Sequence, residues 1–253
     1  MKITFLGTGA SHGIPVIGCH CDICESENSK DKRLRSSLLV ENGSQIFVID
    51  AGPDFRQQML REQVTRIDAV LITHEHKDHT AGLDDLRAYN YLMNKAMRIY
   101  GEDRVLNSIK QEYAYVFSDD KYPGSPDMEL HPITNKAFSI DGQKIIPIQI
   151  YHNRLPVFGY RINNMAYVTD GKTIPETEIE KLRNLDILVL SALRVKSHVS
   201  HMGLDEVLEL IEKLKPKQTY LTHISHKQYN YLDLEKILPA NVHPAYDGLV
   251  IPI

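Results

Sequence analysis

The segment Thr73-His74-Glu75-His76-Lys77-Asp78-His79 constrains this chain more than any other. Three histidines and an aspartate fall within six positions, where the apolar run Ala69–Thr73 stops. A single histidine is ordinarily a satisfied polar residue. H-x-H-x-D-H directly after a buried strand is costly to explain as packing. Neutral imidazole and carboxylate are the ligand types of zinc, manganese or iron, and a loop leaving a strand can fold them around an ion. Such a loop offers four ligands, and a dinuclear centre needs more. His152 follows the predicted strand Ile148–Tyr151, Asp170 follows Ala166–Thr169, and His223 follows Tyr220–Thr222. Each alone reads as a solvated terminus or helix cap. Together they suit open α/β sheets, which collect their chemistry at strand ends.

The rest of the chain is compatible with such sheets. Runs at Ile3–Leu6, Ser37–Glu41 and Gln45–Asp50 predict strands, the last two joined at Asn42-Gly43. Helical spacing predicts helices over Leu83–Met97, Val105–Phe117, Pro175–Leu185 and Leu204–Leu214. Phe138–Tyr151 holds a turn at Asp141-Gly142, Asn163-Asn164 predicts a second hairpin, and Ile187–Leu190 and Thr219–Thr222 predict later strands. With no low-complexity linker, one layered α/β domain over residues 1–253 is expected. At 42% apolar and 25% charged residues, disorder and fibrous repeats are excluded. A net charge of −4 argues against nucleic-acid binding by bulk charge. No apolar run approaches the roughly 18 residues of a membrane span, and Met1–Gly7 lacks a signal-peptide core. Three cysteines cannot all pair within the chain, so a reducing cytoplasm is the expected compartment.

The pattern resembles the metallo-β-lactamase-fold hydrolases, whose H-x-H-x-D-H motif stands here as His74, His76, Asp78 and His79, approached by Ile49-Asp50-Ala51-Gly52. The resemblance implies a four-layer αββα sandwich over nearly the whole chain. It also implies two divalent metals, zinc or manganese. One would be held by His74, His76 and His152, the other by Asp78, His79 and His223, with Asp170 bridging.

Cys19-His20-Cys21-Asp22-Ile23-Cys24 is a second candidate metal site, because thiolates at C-x-C-x-x-C spacing are zinc ligands and tetrahedral zinc wants a fourth. His226, three residues after His223, is the attractive candidate; His20 and Asp22 remain alternatives. Together with Gly7–Ser11, Thr222–His226 and Tyr246-Asp247-Gly248, this loop resembles the phosphoribosyl cyclic phosphodiesterases of phosphonate catabolism and their relatives, in which three cysteines and the histidine hold a structural zinc. The B-type proteins of pyrroloquinoline quinone biosynthesis share a similar cysteine loop. A dinucleotide reading of Gly7-Thr8-Gly9 fails, since the third glycine is Gly13 and Pro15 stands where a phosphate-cradling helix should start.

Two divalent ions can hold a hydroxide between them and clamp the attacking and leaving oxygens of a displacement. The expected reaction is hydrolysis of a small phosphodiester, cyclic or nucleotide-like, by in-line attack of that hydroxide. Asp78 would bind metal and help orient the nucleophile. A sugar alkoxide leaving group benefits from a proton donor, whereas a thiolate, with pKa near 8.5, does not need one. His201 matches the general-acid histidine of phosphodiesterases of this fold; His198 competes for the role, and a helix-flanking surface residue is the bland alternative.

The tRNA 3′-processing endoribonucleases share the ligand pattern, but the 17 residues between His152 and Asp170 hold a hairpin and no substrate arm. The acidic total also disfavours tRNA. The basic run Lys30, Lys32, Arg33 and Arg35 reads as a solvated segment; the alternative is that one of its arginines binds substrate phosphate, with Arg154 and Lys196 as comparable candidates. The alternatives are hydrolysis of another ester or thioester, and a non-hydrolytic accessory role of the quinone-biosynthesis kind. A homodimer is allowed by the family likeness alone.

Overall fold

The computed structural model describes residues 1–253. Its strands are β1 (Lys2–Gly7), β2 (Ser37–Asn42), β3 (Gln45–Ile49), β4 (Ala69–Leu71), β5 (Met97–Glu102), β6 (Met128–Ile133), β7 (Phe138–Ile140), β8 (Gln143–His152), β9 (Leu155–Ile162), β10 (Met165–Val168), β11 (Ile187–Ser191), β12 (Gln218–Thr222), β13 (Val242–Pro244) and β14 (Val250–Pro252). They form two seven-stranded sheets, each within its own compact unit. No helix is long and apolar enough to cross a membrane.

The first unit comprises Met1–Gly7, Arg35–Ile133 and Gly248–Pro252. Its sheet runs β14-β1-β2-β3-β4-β5-β6, antiparallel as far as β3 and parallel beyond. The fully buried Ala69-Val70-Leu71 of β4 shows why that run carries no alternation: a parallel strand is covered on both faces. Helices Phe55–Arg61 and Asp103–Glu112 place Phe55, Met59, Val105, Leu106 and Ile109 in a core with Val48, Val70, Ile72 and Ile99. The predicted helix over Leu83–Met97 is shorter, a 3₁₀ turn at Leu83–Leu86 followed by an α-helix at Arg87–Met93. Asn94 then turns left-handed, and Met97 opens β5 beside β6.

The second unit comprises Thr8–Leu34 and Thr134–Asp247, with Ile253. Its sheet runs β13-β12-β11-β10-β9-β8-β7, parallel from β13 to β10 and antiparallel from β10 to β7. The hairpins at Asp141-Gly142 and Asn163-Asn164 form as expected. The helix Leu204–Leu214 has the predicted bounds and buries Leu204, Val207, Ile211 and Leu214 against Val168, Leu188, Leu190 and Leu221. Pro175–Leu185 is helical only in short pieces, Glu176–Ile179 and Glu180–Leu182.

Candidate metal centres

In the first unit, the His74–His79 loop leaves β4 as the strand pattern implied. Leu71 accepts from the Asp50 amide at 2.9 Å, and His79 accepts from the Ala51 amide at 2.8 Å, so Asp50-Ala51-Gly52 straps the loop. Gly52 is required there: a Cβ would lie 2.0 Å from the Asp78 carbonyl oxygen. His74 and His79 are fully buried, and His74 Nε2 lies 3.0 Å from His76 Nδ1. Two ligand nitrogens on one tetrahedral ion, with bonds of about 2.0–2.1 Å, would lie about 3.3 Å apart. His79 Nε2 stands 3.2 Å from Asp78 Oδ2.

Sequence reasoning missed the role of Asp50. Fully buried and left-handed at φ 65°, its carboxylate accepts from the Thr73 amide at 2.8 Å and the Thr73 hydroxyl at 2.9 Å. It also meets His79 Nδ1 at 2.7 Å, which orients the ring and directs Nε2 toward an ion. Burial pushes the Asp50 carboxyl above the usual carboxylate range, with His79 and Thr73 opposing. The available signal was an aspartate ending an apolar strand before Ala-Gly.

In the second unit, β8, β10 and β12 deliver His152, Asp170 and His223. Asp170 and His223 are left-handed, at φ 54° and 53°, so the backbone turns sharply after each strand. Donor atoms of His152, Asp170 and His201 lie within 4.8 Å of one another. His223 Nε2 is 3.2 Å from Asp170 Oδ1, and the His201 ring stacks on His223 with centroids 5.5 Å apart. The Ser200 carbonyl accepts from His152 Nδ1 at 3.0 Å, and the Thr169 hydroxyl donates to Asp170 at 2.7 Å.

His201 is no surface residue. It is buried, 3.9 Å from Asp170, and its Nδ1 has no hydrogen-bond partner. Burial drives its pKa down to about 3, with Asp170 pulling the other way. His198, half-buried, bonds Ser200 Oγ at 2.8 Å. The imidazoles of His152 and His223 with the Asp170 carboxylate form a donor set suited to a divalent ion, and His201 stands beside them.

The cysteine loop lies in the same unit. His226 Nδ1 stands 3.2, 3.6 and 3.6 Å from the sulfurs of Cys19, Cys21 and Cys24. Zinc bonds of about 2.3 Å to sulfur and 2.0–2.1 Å to nitrogen put tetrahedral S···N edges near ~3.5 Å, so the four donors fit one ion. The Cys24 amide pulls Cys21 down to about 6, while burial pushes Cys24 up to about 11. Of the alternative fourth ligands, His20 pairs with Glu25 at 2.8 Å and Asp22 is exposed at the start of the short helix Asp22–Glu25.

The basic run is not a solvated segment, a correction to the sequence reading. Arg33 is 3% exposed and donates to Thr8 Oγ1 at 2.7 Å and the Ala245 carbonyl at 2.6 Å. Lys30 lies over the Tyr231 and Tyr246 rings, Lys32 donates to the Cys24 carbonyl, and Arg35 pairs with Asp54. Arg154 and Lys196 are exposed.

Residues 45–224 match the family model of the beta-lactamase superfamily domain. The chain belongs to that superfamily. Its fold is the metallo-β-lactamase-like one implied by the His loop. A solved diphosphatase from the PhnP family superposes with TM-score 0.93 at 39% identity, over 99% of this chain and 96% of that one. Zinc-bound PqqB from Methylobacterium extorquens shares the superfamily fold at TM-score 0.81 and 18% identity, each chain covered completely. An octanoyltransferase of Porphyromonas gingivalis is 40% identical over 98% of this chain. The chain spans about half, 51%, of that protein's length.

Proposed function

We propose that the chain is a metal-dependent hydrolase of a small phosphodiester, cyclic or nucleotide-like. In this reading His74, His76 and His152 would hold one divalent ion and Asp78, His79 and His223 the other, and Asp170 would serve both. Cys19, Cys21, Cys24 and His226 would hold a third ion, zinc, as a structural tie. The observation that carries the reading is the gathering of His152, His201 and His223 around Asp170, in a chain that also presents the H-x-H-x-D-H loop. The 39% identity to a PhnP-family diphosphatase favours phosphorus as the reacting centre. Met1–Ile253 is read as one hydrolase domain, acting in the cytoplasm on a small molecule rather than on nucleic acid.

When bound, two zinc or manganese ions supply Lewis-acid charge neutralisation and a water of lowered pKa. The protein's part is orientation and proton supply. Asp50 and the Ser200 carbonyl fix the rings of His79 and His152, and Asp78 also orients the nucleophile. His201 gives the proton to the departing alkoxide. At about 3 its imidazole is neutral before substrate arrives. The negative charge of a bound phosphodiester acts in the opposite direction, toward the protonated form that a proton donor requires.

The half-length match to the octanoyltransferase favours a second reading, hydrolysis of an octanoyl ester or thioester. Leaving groups discriminate. His201→Ala should slow diesters with alkoxide leaving groups by roughly 10²–10⁴-fold while sparing nitrophenyl diesters. Equal losses on both would remove His201 from the role. A screen of cyclic phosphates, linear dinucleotides, bis-nitrophenyl phosphate and octanoyl thioesters, run with zinc and with manganese, ranks the substrate classes. Bis-nitrophenyl phosphate turnover abolished by Asp170→Ala marks an enzyme; no turnover of any substrate favours the accessory role.

A further inference from the structure

The His74–His79 loop is gripped from one side by a single helix. Glu75 and Lys77 alternate with His74, His76 and Asp78, and both reach Asp103–Glu112 or its neighbours. Arg104, in the first turn of that helix, ion-pairs with Glu75 and also meets Glu102 at 3.3 Å. Glu112, at its end, ion-pairs with Lys77. Tyr113, one residue further and buried, donates to the Thr80 carbonyl at 3.0 Å. The helix cannot drift, because Val105, Leu106 and Ile109 are buried in the unit's core.

We propose that Arg104 is a positioning residue for the metal loop. Through Glu75 it holds the backbone between His74 and His76, so that their nitrogens stand 3.0 Å apart before any ion arrives. Glu112 and Tyr113 fix the other end of the same segment. The proposal rests on the reading of His74 and His76 as metal ligands. Partners outside the ligand set that orient ligands are worth about 10–100-fold in metal affinity. A part-exposed ion pair contributes little to global stability, so affinity is where Arg104 should show itself.

Cobalt titration of the full-length, metal-stripped protein tests this. Thiolate-to-cobalt charge transfer and the intense d–d bands that accompany it report the cysteine site, and the weaker d–d absorption left after subtracting them reports imidazole–carboxylate sites. Arg104→Gln should weaken the imidazole–carboxylate sites about 10–100-fold and leave the charge-transfer titration unchanged. Arg104→Lys should recover part of the loss. Glu75→Gln should reproduce it, and the double variant should be no worse than either single one. Unchanged affinity in Arg104→Gln, equal weakening of both kinds of site, or losses that add in the double variant would overturn the proposal. His76→Ala separates the premises: if it too leaves the d–d titration untouched, the ligand reading itself is wrong. If His76→Ala removes cobalt and Arg104→Gln does not, only the positioning role fails.

Discussion

Arg33 shows what a buried charge demands. Its guanidinium is held by a threonine hydroxyl and a backbone carbonyl, and Asp247, which accepts from Thr8 and the Leu34 amide, offsets a burial that pulls it down to about 10. Arg33→Ala leaves those acceptors buried without their donor. The variant should lose about 3 kcal/mol of unfolding free energy, near the lower end of the cost of breaking a buried pair, as read from urea denaturation. A loss below about 0.5 kcal/mol, the size of an ordinary surface substitution, would show the network to be dispensable. Its role was illegible in the sequence because Ala245 and Asp247 lie more than 200 positions away. The candidate ligands were legible as residue types, since imidazole, carboxylate and thiol name their own chemistry. The left-handed backbones at Asp50, Asp170 and His223 were not, because aspartate and histidine carry no local requirement for that conformation.

Among the elements, Leu204–Leu214 was readable residue for residue because its apolar period and its start signal agree. Glu206 bonds the Gly203 amide at 2.7 Å and pairs with Lys172, which push its carboxyl down to about 2, Lys172 contributing most. A carboxylate whose folded pKa is depressed stabilises above its unfolded value, about 4.3, and loses that contribution as pH falls through the folded one. Glu206→Gln should therefore cost about 0.5–1 kcal/mol at pH 7, typical of an exposed cap and ion pair. The gap should begin to close below about pH 4.5 and be small near pH 2. Urea midpoints of both proteins at pH 7, 5 and 3 check this; a gap that stays constant would assign the effect to something other than ionisation. Strands β5 and β6 escaped the sequence reading because Met97–Glu102 and Met128–Ile133 mix charged, histidine and proline residues with apolar ones. What makes them strands is pairing with a neighbour, not intrinsic preference. The first hairpin turn falls at Gly43-Ser44, one residue beyond the predicted pair, because Asn42 still pairs with Gln45 and Gly43 takes the positive φ.

For the whole molecule, the measurable quantity is metal content. Elemental analysis should find close to three metals per chain, falling by about one in Cys21→Ser. Chelation should lower the melting temperature of the parent, because ions that bind only the folded chain stabilise it by mass action. Stoichiometry near one, unaffected by His76→Ala, would leave the cysteine site alone. The sequence by itself determined the class of fold and the inventory of donors, because apolar periodicity and the spacings H-x-H-x-D-H and C-x-C-x-x-C are local properties that a few backbone bonds enforce. Tertiary structure alone decided that His226, rather than His20 or Asp22, faces the three thiols, since those contacts span 202 to 207 positions. It also decided that His201 is buried against Asp170 and that Arg33 is not solvated. Burial and long-range contact are collective outcomes of packing, and no short stretch of sequence contains them.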